Sequence, residues 1–209
     1  MKLTVFGSTG GTGQEVVKQA LTQGHELTVL VRKPEKLKQK NENLHVVQGD
    51  IMDFSLVERS IKRQDGVLCN LGALPTDKSC LRAKGTENII RAMEKTGVRR
   101  LICQSALGVG DSRTLLPFHY KYLLVPLLLR HVYADHEIQE KFIKKSQLDW
   151  VIVRPGVLTD GQLTGSYKQD VSTDDSTVKF KISRADVADF MIKQLMEDAW
   201  LHRAPTISY

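Results

Sequence analysis

Cysteine is scarce in this chain, and aromatic side chains are few: three cysteines and 6% Phe, Trp and Tyr among 209 residues. Cys69, Cys80 and Cys103 are odd in number and lack the close spacing of metal-binding pairs, which excludes a disulfide scaffold and a zinc site. They are expected to pack as small apolar groups in a reducing, cytoplasmic compartment. No apolar run reaches the about 18 residues of a membrane span, so no membrane partner is expected. No secretory leader is visible, because Met1-Lys2 runs straight into an apolar segment. Internal repeats, low-complexity tracts and linkers are absent, and the length suits one α/β domain over residues 1–209. Acidic charge is in the minority, with 24 Asp and Glu against 30 Lys and Arg, a formal net charge of +6. That excess asks for an anionic partner. No aromatic-interleaved basic stripe or nucleic-acid module accompanies it, which favours a phosphate-rich cofactor over DNA or RNA.

What is present begins at the first residues. Lys2–Phe6 reads as a buried strand, Gly7-Ser-Thr-Gly10-Gly-Thr-Gly13 as a glycine-rich turn, and 14–23 as an amphipathic helix. Glycines at Gly7, Gly10 and Gly13 allow a sharp turn and close backbone approach, and the free amides of the helix N-terminus favour a diphosphate. A second β-branched run, 26–31, ends at Arg32, with Lys36 one turn on and no carboxylate before Glu35. Roughly 20 residues past the glycines, a carboxylate meets the ribose hydroxyl of NAD, whereas an arginine accommodates the 2′-phosphate of NADP. Arg32 therefore predicts NADP(H); a solvated basic loop is the plainer reading of Lys36, Lys38 and Lys40.

Strand and helix alternate along the rest of the chain, which predicts an α/β Rossmann-type fold: a doubly wound, mostly parallel sheet with helices on both faces. Further strands are expected at 44–48, 66–71, 100–104, 150–154 and 205–209. Helices are expected from a Ser55-x-x-Glu58 capping box to Lys62, over 76–96, from beyond Pro126 to Lys145, and from Ser183 to Glu197. Ligands of such sheets bind outside the carboxyl ends of the strands. Those ends collect Gly7–Gly13, Arg32, Asp50-Ile51, Leu71-Gly72-Ala73, Ser105-Ala106 and Pro155-Gly156-Val157. The apolar stretch 115–133 is expected to be a buried helix kinked near Pro126, with a lid over a substrate pocket or a self-association surface as alternatives.

These residues resemble the atypical short-chain dehydrogenase/reductase family of NAD(P)H-binding, NmrA-like proteins, and within it the NADPH-dependent flavin reductases, also called biliverdin IXβ reductases. The likeness spans nearly the whole chain. It rests on Phe6–Gly13, Thr28–Arg32, Val47–Asp50, Leu71-Gly72, Ser105-Ala106, Leu148–Val151 and Leu163–Tyr167. The resemblance implies that Thr9, Gly10, Gly11, Thr12 and Gly13 bind the diphosphate, that Arg32 and Lys36 bind the 2′-phosphate, and that Asp50 and Ile51 flank the adenine. It also implies that Leu71, Gly72, Ala73, Pro155, Gly156, Val157 and Leu158 line the nicotinamide and its ribose. Ser105 falls beside the nicotinamide and His136 on a histidine near the acceptor. A second pocket histidine of the flavin reductases falls on Val157, a departure that bears on the acceptor.

Many short-chain dehydrogenases use a Tyr-x-x-x-Lys pair, and no tyrosine of this chain has a lysine four positions on. Hydride transfer to a flavin or a linear tetrapyrrole needs less from the protein, because the acceptor spreads the incoming charge and solvent can supply the proton. Ser105 and His136 are the catalytic candidates. Ser105 could instead satisfy a strand-end backbone group, and the Asp135, Glu137 and Glu140 around His136 suit a solvated helix face. An NADPH-dependent reductase acting on a small conjugated acceptor, as a monomer or weak homodimer, is the expected function. The alternative is an NmrA-like NADP(H) sensor that signals through a protein partner.

Overall fold

The computed structural model describes residues 1–172, 175 and 177–209. Its strands are β1 (Lys2–Phe6), β2 (Glu26–Val31), β3 (Leu44–Gln48), β4 (Gly66–Cys69), β5 (Arg100–Gln104), β6 (Asp149–Pro155), β7 (Val157–Thr159), β8 (Lys168–Gln169), β9 (Lys181–Ser183) and β10 (Thr206–Ser208). Eight of them form one sheet in the order β3-β2-β1-β4-β5-β6-β10-β8. Neighbours are parallel, as at Val5 against Val29 and Cys69 against Cys103, until β8 closes the edge antiparallel to β10. The sheet reverses direction of build between β1 and β4, and this opens a crevice at their carboxyl ends. β7 and β9 make a separate parallel pair beside it.

Helices α1 (Gly11–Thr22) and α5 (Arg184–Lys193) cover one face, and α2 (Phe54–Ile61), α3 (Leu81–Thr96) and α4 (Arg130–Lys145) the other. Leu3, Val5, Val29 and Leu68 turn towards α1 and α5, where Val16, Val17 and Phe190 meet them. Phe6, Val67, Leu101 and Ile152 turn the other way, towards Val57, Ile89, Met93 and Ile143. Period-two alternation within near-continuous apolar runs thus fills two cores from one sheet.

Four helix boundaries differ from expectation. The first helix starts at Gly11 and not at residue 14, because extended Gly10 (φ −75°, ψ 163°) is its N-cap and Gly11, Thr12 and Gly13 already form its first turn. Gly10 N–H donates to Gly7 O at 3.0 Å and Gln14 N–H to Gly10 O at 2.9 Å. The cap of α2 is Asp53, whose Oδ1 accepts from the amides of Ser55 and Leu56, so Ser55 does not open a capping box. Helix α3 starts at Leu81 and not at residue 76. Its cap comes from α4: the Asp135 carboxylate accepts from the amides of Arg82 and Ala83 at 3.1 and 2.9 Å. At the far end, Ser183 caps α5 as expected, but the helix stops at Lys193.

The apolar stretch 115–133 departs most. It is a 3₁₀ turn to Leu115 and a π-helix over Tyr120–Leu129 that runs on into α4, with Pro126 inside it. Of its ten π-helical residues only Val125 is buried, so the expected buried helix is not formed. The stretch is longer than the third small core beneath it, which Leu107, Leu116, Val125, Val171 and Val178 already fill.

Candidate active site

The glycine turn is packed as tightly as its spacing suggests. Gly7 has φ +77°, and a Cβ there would lie 2.1 Å from the carbonyl oxygen of Asn70. A Cβ at Gly13 would lie 2.1 Å from the carbonyl of Gly7. The turn therefore sits directly on the end of β4 and leaves the first amides of α1 facing a cleft of ≈ 350 Å³. That volume is within the range of ligand sites.

The cleft gathers most of the expected site. Gly10, Gly11, Thr12, Gly13, Leu71, Gly72, Ala73, Ser105, His136, Pro155, Gly156 and Leu158 all line it. Val157 lines the neighbouring slot instead. Arg32 and Lys36 are exposed just past the end of β2, outside the cleft lining. Asp50 is exposed and accepts from the Met52 amide, while Ile51 is buried against Gly85 of α3. Gly7 and Thr9 support the turn from behind, with the Thr9 carbonyl accepting from Gln14 Nε2 at 2.9 Å.

Ala106, expected beside Ser105 at the strand ends, lines the cleft as well, and four further residues do so without a signal strong enough to single them out: Asn70, Arg82, Gln104 and Arg184. Arg184 is the first residue of α5. Its Cδ and Nε would lie 2.6 Å from a Cβ at Gly11, so a guanidinium rests on the phosphate turn, tied to exposed Asp160 at 2.6 Å. Both amide atoms of buried Asn70, and the hydroxyl of buried Ser8, find no hydrogen-bond partner among the described residues. Unpaired buried polar groups are costly. Together with free helix amides and a nearby cation they fit a polar, anionic nucleotide.

The chemistry-bearing side chains come from α4, and here two expectations are corrected. His136 is not on the surface but 6% exposed, and Asp135 and Glu140 are buried beside it. Asp135, His136, Gln139, Glu140 and Ile143 form the inward stripe of α4. Burial, reinforced by the Arg82 guanidinium, lowers the His136 pKa to about 4. The ring is therefore neutral at neutral pH and supplies no cation for a carboxylate. Gln139 Nε2 donates to Thr86 Oγ1 at 2.9 Å, which leaves Gln139 Oε1 to accept from His136 Nδ1 at 3.0 Å. In that assignment Nε2 is an acceptor.

Ser105 does not serve a strand-end backbone group through its hydroxyl. Its Oγ donates to Glu140 Oε1 at 2.8 Å. Arg154, at the end of β6, grips the same carboxylate with Nε and a terminal nitrogen at 2.8 and 2.6 Å. Burial alone would raise the Glu140 pKa, but the Arg154 fork, with Ser105 and Lys144, outweighs it and holds the carboxyl below its ordinary value. The run Leu163–Tyr167, part of the family resemblance, lies outside the cleft lining. Asp186 accepts from Thr164 and Gly165 amides at 2.9 and 2.8 Å, clasping that loop to α5.

Beyond Ala106, Pro155 and Gly156 the cleft continues into an apolar slot of ≈ 290 Å³. Leu107, Leu116, Pro117, Tyr120, Leu129, Tyr133, Val157 and Phe180 complete its walls. Tyr133 spends its hydroxyl on the Leu107 carbonyl at 3.0 Å, and burial raises its pKa.

A family described as NAD(P)H-binding matches residues 7–198. The chain belongs to that family. As an NAD(P)H-binding protein it is 29% identical to an uncharacterised chloroplastic protein of Arabidopsis thaliana, over 94% of this chain and 72% of the other. Its fold is that of ChuY, an anaerobillin reductase of Escherichia coli O157:H7, with TM-score 0.80, 23% identity, and 99% and 96% of the two chains covered. It is also that of a Veillonella parvula short-chain dehydrogenase/reductase solved in complex with NADP, with TM-score 0.79, 17% identity, and 100% and 94% covered. No helix among the described residues is long and apolar enough to cross a membrane, and the described residues hold no cluster able to bind a metal ion.

Proposed function

We propose that this NAD(P)H-binding protein is an NADPH-dependent reductase that passes hydride to a planar, conjugated acceptor such as a flavin or a linear tetrapyrrole. The observation that carries the reading is the apolar slot joined to the polar cleft through Ala106, Pro155 and Gly156. A cofactor in the cleft and a flat acceptor in the slot would share those small residues as a common floor.

In this reading the amides of Gly11–Gly13 and the Arg184 guanidinium hold the diphosphate. Arg32, with Lys36, takes the 2′-phosphate in a planar fork that a carboxylate could not offer. Asn70, Leu71, Gly72 and Ala73 border the nicotinamide ribose. The bound cofactor supplies a hydride, and the acceptor gains that hydride plus one proton. Ser105 donates its hydroxyl hydrogen to the bond with Glu140, so its lone pairs are free to accept from the nicotinamide carboxamide and fix the ring against the acceptor. Neutral His136 offers Nε2 as a further acceptor at the cleft wall. With Tyr133 engaged and no Tyr-x-x-x-Lys pair, the proton comes from solvent, which a charge-delocalising acceptor tolerates. The name of the E. coli structural neighbour, an anaerobillin reductase, supports the acceptor class. The buried thiols of Cys69 and Cys103 suit a reducing cytoplasmic setting.

The test is NADPH oxidation, followed by absorbance, with FMN, FAD and biliverdin isomers offered separately. Turnover with one or more is expected. Tight NADPH binding with no turnover across all of them would overturn the reductase reading in favour of a sensor.

A further inference from the structure

The π-helix Tyr120–Leu129 has two faces. Its i→i+5 hydrogen bonds widen the turn, so side chains four or five positions apart fall on one side. Tyr120, Val125 and Leu129 make the inner stripe: the first and last wall the apolar slot, and Val125 is buried in the small core. Phe118, Tyr122, Leu123, Leu127 and Leu128 recur at the same interval and are exposed, Phe118 by 78% and Leu127 by 67%. The Phe118 and Tyr122 rings touch with centroids 4.8 Å apart. A contiguous exposed face of two aromatics and three leucines marks an interaction surface.

Charge decides what covers it. No Asp or Glu stands between Asp111 and Asp135, whereas Arg113, Lys121 and Arg130 do, with His119 and His131. Lys121 lies over the Tyr122 ring at 5.4 Å and Arg130 donates to the His131 ring. Among the described residues neither cation is paired with a carboxylate. A second copy of the chain, docked face to face, would bring the same positive charges together. An apolar face of Phe, Tyr and Leu edged with unpaired Lys and Arg has instead the chemistry of a helix lying in a lipid interface.

We propose that this face docks the protein on an anionic bilayer surface, the five apolar side chains seated among the headgroups and Lys121 and Arg130 on lipid phosphates. The expectation of no membrane partner rested on the lack of a spanning run, and surface attachment departs from it. The proposal is independent of the acceptor, because lipid binding is read without turnover.

Cosedimentation of the full chain with phosphatidylcholine vesicles, with and without phosphatidylglycerol, tests it. Binding to the anionic vesicles is expected, weakening with salt. The double variants Leu127→Ser with Leu128→Ser, and Lys121→Glu with Arg130→Glu, should each weaken it by about tenfold or more while NADPH binding and circular dichroism stay unchanged. Absence of binding to both vesicle types, or equal binding to both, would overturn the proposal. So would a dimer in light scattering that the serine variant dissolves, since the face would then belong to a second copy.

Discussion

Ser105 Oγ donates to Glu140 Oε1 at 2.8 Å, and Arg154, only 1% exposed, holds both oxygens of the same carboxylate. A strand-end hydroxyl is thus oriented by a buried ion pair reaching it from α4 and β6. If that orientation serves hydride transfer, Ser105→Ala should lower turnover at saturating NADPH by about three- to tenfold, the value of one neutral hydrogen bond, and weaken NADPH binding by no more than that factor. Steady-state kinetics beside calorimetry checks this; unaltered turnover would remove Ser105 from the reaction.

The ion pair itself predicts a stability pattern. Glu140→Gln leaves Arg154 buried with only exposed Asp111, at 2.8 Å, as a charged partner, and should cost about 3–5 kcal/mol. Adding Arg154→Met to that variant should recover part of the loss, because the uncompensated charge is gone. Urea denaturation of the single and double variants measures it. A double variant less stable than Glu140→Gln would contradict the account.

The pH dependence of stability follows from His136. Its pKa is lowered from 6.5 to about 4 in the folded chain. Between those values the unfolded chain binds the extra proton and the folded chain does not, so stability rises with pH. The contribution is fully present above pH 6.5 and is lost as pH falls towards about 4, on the order of 3 kcal/mol across the window. His136→Asn should flatten that part of the profile. The depressed Glu140 carboxyl acts in the same direction but at lower pH, where its protonation removes a partner of Arg154. Denaturant melts at several pH values would show whether the two slopes differ.

The glycine turn offers a graded pair. A Cβ at Gly13 would meet the Gly7 carbonyl at 2.1 Å, backbone against backbone, whereas at Gly10 the nearest atom is 3.4 Å away. Gly13→Ala should destabilise the fold by about 3 kcal/mol or more, in the manner of an overpacked core. Gly10→Ala should leave the melting temperature nearly unchanged and act, if at all, on nucleotide affinity. Thermal melts with and without NADPH separate the two effects.

Cofactor choice is assigned to one exposed side chain. Arg32→Glu should weaken NADPH binding by about tenfold or more, as an ionic hydrogen bond to phosphate is replaced by repulsion, and leave NADH binding within about twofold. Equal losses for both nucleotides would reject the contact.

The mostly parallel sheet and the glycine turn were legible because they follow from local signals: β-branched runs and a glycine spacing that backbone contact enforces. The walls of the site were not, for two physical reasons. On α4 the period was readable, but the inward stripe is Asp135, His136, Gln139 and Glu140, and polarity pointed the wrong way. Those groups are buried because partners distant in sequence satisfy them: Arg82, Thr86, Ser105 and Arg154. The start of α3 was misplaced for the same reason, its cap being Asp135. On Tyr120–Leu129 hydrophobicity was plain, but a π-helical turn moves four large apolar side chains to the outside, and no local signal marks that pitch. Arg154 at the end of an otherwise apolar strand was the one visible clue to the buried ion pair.

The central claim is that the cleft at the carboxyl ends of β1, β4, β5 and β6 holds NADP(H). Isothermal titration of the purified chain with NADPH and with NADH tests it most directly. The account predicts saturable binding of one NADPH per chain and a dissociation constant for NADH about tenfold or more higher. Failure of both nucleotides to bind, or equal affinity for the two, would contradict it.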